Sequence, residues 1–259
     1  MAQYLEYGLD GRAAIVTGAG TGIGEACAVE LAKAGVKVAL LGRRLAPIEA
    51  AAARCSEFTP GAIALSVDVS DEAAVKEAVK KVQEAFGRID ILVNNAGIES
   101  PYQVGQVPFE AFFDMEPDEY LSFFKIHDLG HYLMMQAVAP AMKEQKFGRI
   151  VNVTSVTGVT AGYSSPAYTS SKAGAICQTK AFAKKFGKYN ITVNSISPGM
   201  VNTPMKTNSP PEEFEMVARM TPLGRVAEPV DIARLAMFLS QENLFVSGQN
   251  IIIDGGATV

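Results

Sequence analysis

Short runs rich in Val, Ile and Ala recur along the chain at 13–17, 38–41, 63–67, 89–93, 150–153, 191–196 and 250–253. Most are apolar at every position rather than at every second one, the pattern of strands covered on both faces. Between them lie longer stretches with helical spacing, at 22–34, 47–55, 71–86, 117–144, 166–186 and 229–239. Ser70-Asp71-Glu72 gives the third of these a helix start, and Gly87 gives it a stop. This alternation predicts an α/β fold: a doubly wound, parallel, seven-stranded sheet with helices on both faces and right-handed crossovers. The whole of 1–259 reads as a single domain, without repeat, low-complexity segment or linker. Two regions lack clear periodicity, 99–116 and 203–225. Both follow strands, on the edge where open α/β sheets bind ligands, and both are candidate substrate loops.

The totals narrow the class of partner. Hydrophobic residues make up 48% of the 259 positions and charged residues 19%, which fits a large buried core. A net charge of −4 argues against a nucleic-acid partner, because phosphate binding needs clustered Lys and Arg. No basic amphipathic stretch and no run of spanning length points to a membrane. Cys27, Cys55 and Cys177 form neither a metal spacing nor a disulfide framework. Three free thiols, and a first segment that carries Glu6 and Asp10 without an apolar run, make the cytoplasm the expected location.

The segment Thr17-Gly18-Ala19-Gly20-Thr21-Gly22-Ile23-Gly24 sits between the first strand and the first helix. Glycine permits a tight turn, close backbone approach to a diphosphate and close helix–strand packing. The helix N-terminus then offers free N–H groups and a positive dipole end. Gly18, Gly20, Thr21, Gly22, Ile23 and Gly24 are therefore candidates to hold a dinucleotide. A glycine-rich stretch alone is weak, but the strand before it and the helix after it supply the required context. At the end of the second strand an acidic residue would bind a ribose 2′-hydroxyl. The chain carries Gly42-Arg43-Arg44 instead. A guanidinium suits a 2′-phosphate, so NADP(H) is favoured, with NAD(H) as the alternative. After the third strand, Asp68-Val69 could set a carboxylate near the adenine amine.

Tyr168 and Lys172 are four residues apart on a predicted helix, hence on one face. A phenol with a pKa near ~10 is a poor base at neutral pH, and a neighbouring ammonium favours its phenolate. Ser155 follows the 150–153 strand and could hydrogen-bond a substrate oxygen. A Tyr-x-x-x-Lys pair by itself is weak. In this order, with Ser155 and the glycine turn, it is specific.

With these residues in view, the sequence resembles the short-chain dehydrogenase/reductase superfamily over nearly its whole length, and with it a Rossmann-type fold. The resemblance rests on Thr17–Gly24, Asp68-Val69, Asn94-Asn95-Ala96-Gly97, Ser155, Tyr168 with Lys172, Pro198-Gly199 with Thr203, and Asp254-Gly255-Gly256. It implies that Asn94 braces the sheet and that Asn95, Ala96 and Gly97 line the cofactor. Pro198, Gly199, Val201 and Thr203 would lie at the nicotinamide, the last two holding its carboxamide, and Lys172 would also bind its ribose. The Asp254 segment would pack at a subunit interface, in a homo-oligomer such as a tetramer or dimer. The implied activity is hydride transfer between a nicotinamide dinucleotide and a carbonyl or secondary alcohol. Tyr168 would be the acid/base and Ser155 the stabiliser of the oxyanion.

One position departs from the family pattern. An asparagine that helps hold a water in the proton relay is replaced by His127, and the stretch between Gly97 and His127 is longer than usual. His127 could act in the relay, bind substrate, or pack. His127 and His131, four residues apart, also invite a metal reading, but a third ligand is missing and no metal is expected.

Phe109, Phe112, Phe113, Met115 and Tyr120 in one loop region, and Met205, Phe214, Met216 and Met220 in the other, suggest a bulky apolar substrate or ordinary core. Asn202-Thr203-Pro204-Met205 with Pro210-Pro211-Glu212 is similar to the lids of hydroxysteroid and bile-acid dehydrogenases. It is also similar to those of some 3-oxoacyl carrier-protein reductases. A hydroxysteroid or comparable hydrophobic ketone is the expected substrate, with the 3-oxoacyl carrier-protein reductase and a non-catalytic cofactor-sensing protein as alternatives.

Overall fold

In the computed structural model the described residues are 7–99, 110, 114–161, 164–206 and 210–259. Their strands are β1 (Ala13–Thr17), β2 (Lys37–Gly42), β3 (Ile63–Ser66), β4 (Ile91–Asn94), β5 (Gly148–Val153), β6 (Ile191–Pro198) and β7 (Asn250–Ile253). They form one sheet in the order β3-β2-β1-β4-β5-β6-β7, and every pairing is parallel. The seven-stranded, doubly wound sheet expected from the apolar runs is thus present. β1, β4, β5 and β6 are buried at every position. β3 and β7 are the edges and are partly exposed.

Helices cover both faces. On one lie α1 (Gly22–Lys33), α2 (Leu45–Ser56) and α9 (Pro229–Ser240), packed on Ala14, Val16, Leu40 and Val93. On the other lie α3 (Glu72–Phe86), α5 (Gly130–Gln145) and α7 (Pro166–Phe186), packed on Ile15, Leu41, Leu92 and Ile150. Successive strand residues therefore feed opposite cores, which is why the runs are apolar throughout. Each fully buried aliphatic side chain contributes about 1.5–3 kcal/mol. No helix among the described residues is long and apolar enough to cross a membrane.

Most element ends move by one to three residues, as fraying ends do. Two differences are larger. The stretch read as one helix over 117–144 is α4 (Pro117–Phe124), a π turn (Lys125–Leu129) and then α5. One extra residue in the turn leaves hydrophobic periodicity nearly intact, so spacing alone does not show it. Within 203–225, read as aperiodic, Pro211–Met220 forms helix α8. Pro211 starts it and Glu212 and Glu213 stand at its positive end. A four-residue helix, α6 (Thr157–Thr160), follows β5.

The amino ends of the strands are closed by a charged cluster. Asp90 is fully buried and accepts from Arg12, from both Arg88 donors and from the backbone N–H of Ala13. Arg149, also buried, donates to the carbonyls of Gly148, Asn190, Gln241 and Glu242. The guanidinium groups of Arg12 and Arg149 stand 4.0 and 4.2 Å from the Phe147 ring centroid.

Candidate active site

The strand order reverses between β1 and β4, because the chain moves outward from β1 to β3 and returns on the other side at β4. Open α/β sheets form a crevice at the carboxyl ends of such strands. Here the crevice is a cleft of about 450 Å³. Gly18, Gly20, Thr21, Gly22, Ile23, Arg43, Arg44, Asp68, Val69, Asn95, Ala96, Gly97 and Thr203 all line it. Of the other residues singled out for a cofactor, Gly24, Pro198, Gly199, Val201, Tyr168 and Lys172 lie outside this lining. Gly24 packs beneath the turn, where a Cβ would stand 2.3 Å from the Gly18 carbonyl oxygen. The Pro198 carbonyl accepts from Val156, Gly199 donates to the Ile253 carbonyl, and Val201 is bridged to Ala227.

The glycine turn is held open by its neighbours. Thr17 Oγ1 accepts from the N–H groups of Asn95 and Ala96 at 2.9 and 3.0 Å. Asn95 Nδ2 in turn donates to the carbonyls of Thr17 and Gly18. Gly18 has a φ of +61°, and a Cβ there would stand 2.9 Å from the Ala96 Cα. Bare backbone is thus needed where β1 and β4 meet. A cradle of this shape at the start of α1 fits a diphosphate. At the far end Arg43 and Arg44 are exposed, and neither makes an ion pair among the described residues. Asp68 accepts from the N–H and hydroxyl of Ser70, which with the nearby Arg43 charge holds its carboxyl below the usual range.

The other end of the cleft leads to α7. Ser165 caps that helix, its Oγ accepting from the Tyr168 N–H, and Pro166 opens it. This fixes Tyr168 and Lys172 one turn apart. Ser155, two residues past the end of β5, stands on the Tyr168 side and its hydroxyl favours the Tyr168 phenolate. Lys172 Nζ donates to the Val153 carbonyl at 3.2 Å and lies 5.8 Å from the Tyr168 ring centroid. It also reaches the cleft wall, since a Cβ on Gly97 would stand 3.7 Å from it. Ser155, Tyr168 and Lys172 are therefore gathered beside Gly97.

The electrostatics correct one expectation. The Tyr168 phenol sits above its ordinary pKa, pushed up by burial and by the Glu99 charge against the pull of the Ser155 hydrogen bond. The expected lowering by Lys172 does not prevail. Lys172 is 4% exposed, and burial draws its own pKa down to about 8.

His127 lies in the π turn and is fully buried. Its Nε2 accepts from the Ile98 N–H at 3.0 Å, so that nitrogen carries no proton. Nδ1 then donates to Ser171 Oγ at 2.9 Å, and Ser171 donates to the Tyr168 carbonyl at 2.8 Å. The ring stands edge-on to Tyr168 with centroids 5.3 Å apart. Burial and the Lys172 charge hold its pKa far below the usual value, so it is neutral. His131 is buried too, pulled down to about 3 by burial and by Lys172. Neither of its ring nitrogens has a hydrogen-bond partner among the described residues. No cluster of three His, Cys, Asp or Glu groups suited to a metal occurs among the described residues.

Several residues of this region escape sequence reading. Gly42, Pro47, Ile48, Val67, Ile98 and Ile126 add to the cleft wall, and Ser171 links His127 to Tyr168. Ile98 and Ile126 flank motif residues, which was the available signal. Ser171 sits beside Lys172 with nothing in its spacing to mark it. Of the first loop region, 100–109 and 111–113 lie outside the described residues, with the aromatic positions Phe109, Phe112 and Phe113.

Comparison with known proteins agrees with this geometry. A family model described as enoyl-(acyl carrier protein) reductase matches residues 18–258. The 3-oxoacyl-[acyl-carrier-protein] reductase of Thermotoga maritima is 35% identical, over 97% of this chain and 99% of its own. The L-rhamnose 1-dehydrogenase (NAD(P)(+)) of a Sphingomonas species is 35% identical over 97% and 98%. The crystal structure of the 3-ketoacyl-(acyl-carrier-protein) reductase of Brucella melitensis complexed with NADH superposes with a TM-score of 0.86. It is 32% identical and covers 97% of this chain and 100% of that one. The chain belongs to the short-chain dehydrogenase/reductase superfamily and is an NAD(P)-binding oxidoreductase acting on CH–OH groups.

Proposed function

We propose that the protein interconverts a ketone and a secondary alcohol with NADP(H), with Tyr168 as acid/base, Ser155 as oxyanion stabiliser and Lys172 as their cationic partner. The observation that carries this reading is the Lys172 ammonium, held by the Val153 carbonyl near the Tyr168 ring and the Gly97 end of the cleft, with Ser155 placed to favour the Tyr168 phenolate. When bound, the dinucleotide supplies or accepts the hydride. In reduction Tyr168 gives its proton to the carbonyl oxygen while Ser155 hydrogen-bonds the charge that develops there. A phenol held above its ordinary value stays protonated at neutral pH, which suits this donor role. Lys172 reaches the ribose side of the cleft and balances the phenolate left behind. His127 holds the start of the Ile98 segment and the Tyr168 backbone in place, and both of its nitrogens are spent in doing so.

Exposed Arg43 and Arg44 at the cleft, without an ion pair among the described residues, support a 2′-phosphate over a bare ribose. The substrate reading is a bulky apolar ketone. Met205 lines the cleft, and Met216 and Met220 are exposed on α8 in the second substrate loop, 203–225. Hydroxysteroids fit such a surface; so do the 3-oxoacyl chains that the Thermotoga relative's name implies. Exposed Phe238 on α9 and Ile252 on β7 support a subunit contact at the Asp254 end of the chain.

The test is a nicotinamide absorbance screen, with NADPH and NADH, against steroid ketones, 3-oxoacyl thioesters and sugar carbonyls. The expected result is turnover of an apolar ketone with NADPH preferred by about 10-fold or more, from one to two charge-assisted hydrogen bonds. Tyr168→Phe should bind NADPH and lose about 10²- to 10⁴-fold in turnover. Dinucleotide binding without turnover anywhere in the panel contradicts the reading.

A further inference from the structure

Thr157 stands two residues after Ser155, at the start of the four-residue helix α6. It is not one of the residues marked by the sequence, and it does not line the cleft. Its backbone N–H points at Ser155 Oγ at 3.2 Å, and its hydroxyl at the same oxygen at 3.0 Å. A serine hydroxyl has one proton to give and two lone pairs to fill. The N–H can only donate. With the Thr157 hydroxyl donating as well, both lone pairs of Ser155 are occupied. The Ser155 proton is then left for the direction away from Thr157, and the pull of Ser155 on the Tyr168 phenol puts that direction on the Tyr168 side.

We propose that Thr157 is a positioning residue that fixes Ser155 as a hydrogen-bond donor toward the reacting oxygen. A serine free to rotate would spend part of its time accepting from its surroundings and pointing its proton elsewhere. Loading its oxygen with two donors removes that freedom and also polarises the O–H bond, since donors feeding one oxygen strengthen its own donation. The placement is rigid. Gly158, next in the chain, packs against α7 so closely that a Cβ would stand 2.9 Å from the Lys172 carbonyl carbon and 2.9 Å from the Ala173 nitrogen. Thr157 is thereby pinned to the same turn of α7 that carries Lys172. The neighbouring hydroxyl of Thr160 is spent differently, donating to the Val156 carbonyl.

This inference rests on the proposed role of Ser155, and the experiment separates the two. Thr157→Val keeps the shape and the backbone N–H and removes only the hydroxyl. Steady-state kinetics are measured with NADPH and the panel ketone that the wild type reduces. Thr157→Val should lower kcat about 5- to 10-fold, the worth of one net hydrogen bond, with the KM for NADPH unchanged. Thr157→Ser should restore most of the loss. Ser155→Ala should cost about 10²- to 10³-fold. Adding Thr157→Val to Ser155→Ala should then cost nothing further, because Thr157 acts only through Ser155. Equal kcat in Thr157→Val and wild type overturns the inference and leaves the role of Ser155 standing. A full additional loss in the double variant also overturns it, as the mark of general destabilisation. If Ser155→Ala is as active as wild type, the reading of Ser155 fails and the inference fails with it.

Discussion

The two ends of the sheet bury charge in opposite ways. At the amino ends, Asp90 is saturated by two guanidinium groups and a backbone N–H, and Arg149 spends its donors on four carbonyls. At the carboxyl ends, the Lys172 ammonium is almost as deeply buried and has one carbonyl for a partner among the described residues. Beside it His131 holds two nitrogens with no partner among the described residues, and the Asn94 side-chain oxygen Oδ1 is also without one there. A buried charge that is fully paired holds a fold together; removing one partner is costly because the others remain buried. A buried charge left with free donors costs stability and is available to a ligand. The same strands thus carry a fastening at one end and a reactive site at the other.

The largest expected difference is in stability. Asp90→Ala strands Arg88 and the Ala13 N–H and leaves Arg12 with Glu242 alone, and should cost about 2–4 kcal/mol in urea unfolding. Activity per folded molecule should stay within about twofold, since the lesion lies at the opposite end of the strands. Large loss of kcat in the folded fraction would blur the division between the ends.

A smaller effect is expected from acid. His131 has an ordinary value of 6.5 and is held at about 3 in the fold, so it takes up a proton only on unfolding. Its contribution is complete above about pH 6.5 and is lost as the pH falls toward 3. Between pH 7 and pH 5 this amounts to about 2 kcal/mol. His131→Leu should flatten the fall of unfolding free energy over that window by about this amount. A slope identical to wild type would mean that the imidazole is not held neutral.

Much of this was legible in the chain. Fully apolar runs at 13–17, 150–153 and 191–196 give the buried central strands, and the glycine turn and Ser155, Tyr168 and Lys172 announce themselves by type and spacing. What was not legible depends on packing between distant segments. The apolar positions of α8, Phe214, Met216, Val217 and Met220, lie outside the buried core, so they read as a substrate loop rather than as a core-facing helix. The π turn hides within a continuous helical pattern. The direction of the Tyr168 shift is set by burial and by Glu99, which lies on another element, and spacing along α7 carries no record of either. His127 offered three readings, and only the contacts with Ile98 and Ser171 favour a bracing role.

The contrast between the two ends is tested most directly by Lys172→Met, with unfolding and turnover measured on the same preparation. Burial holds Lys172 at about 8, below its ordinary 10.5, so its charge opposes folding at neutral pH. The variant should therefore be more stable than wild type by about 1–3 kcal/mol at pH 7 and lose at least about 100-fold in kcat. A variant that is less stable yet still turns over substrate would show that Lys172 is a structural cation like those at Asp90, and that the site lies elsewhere.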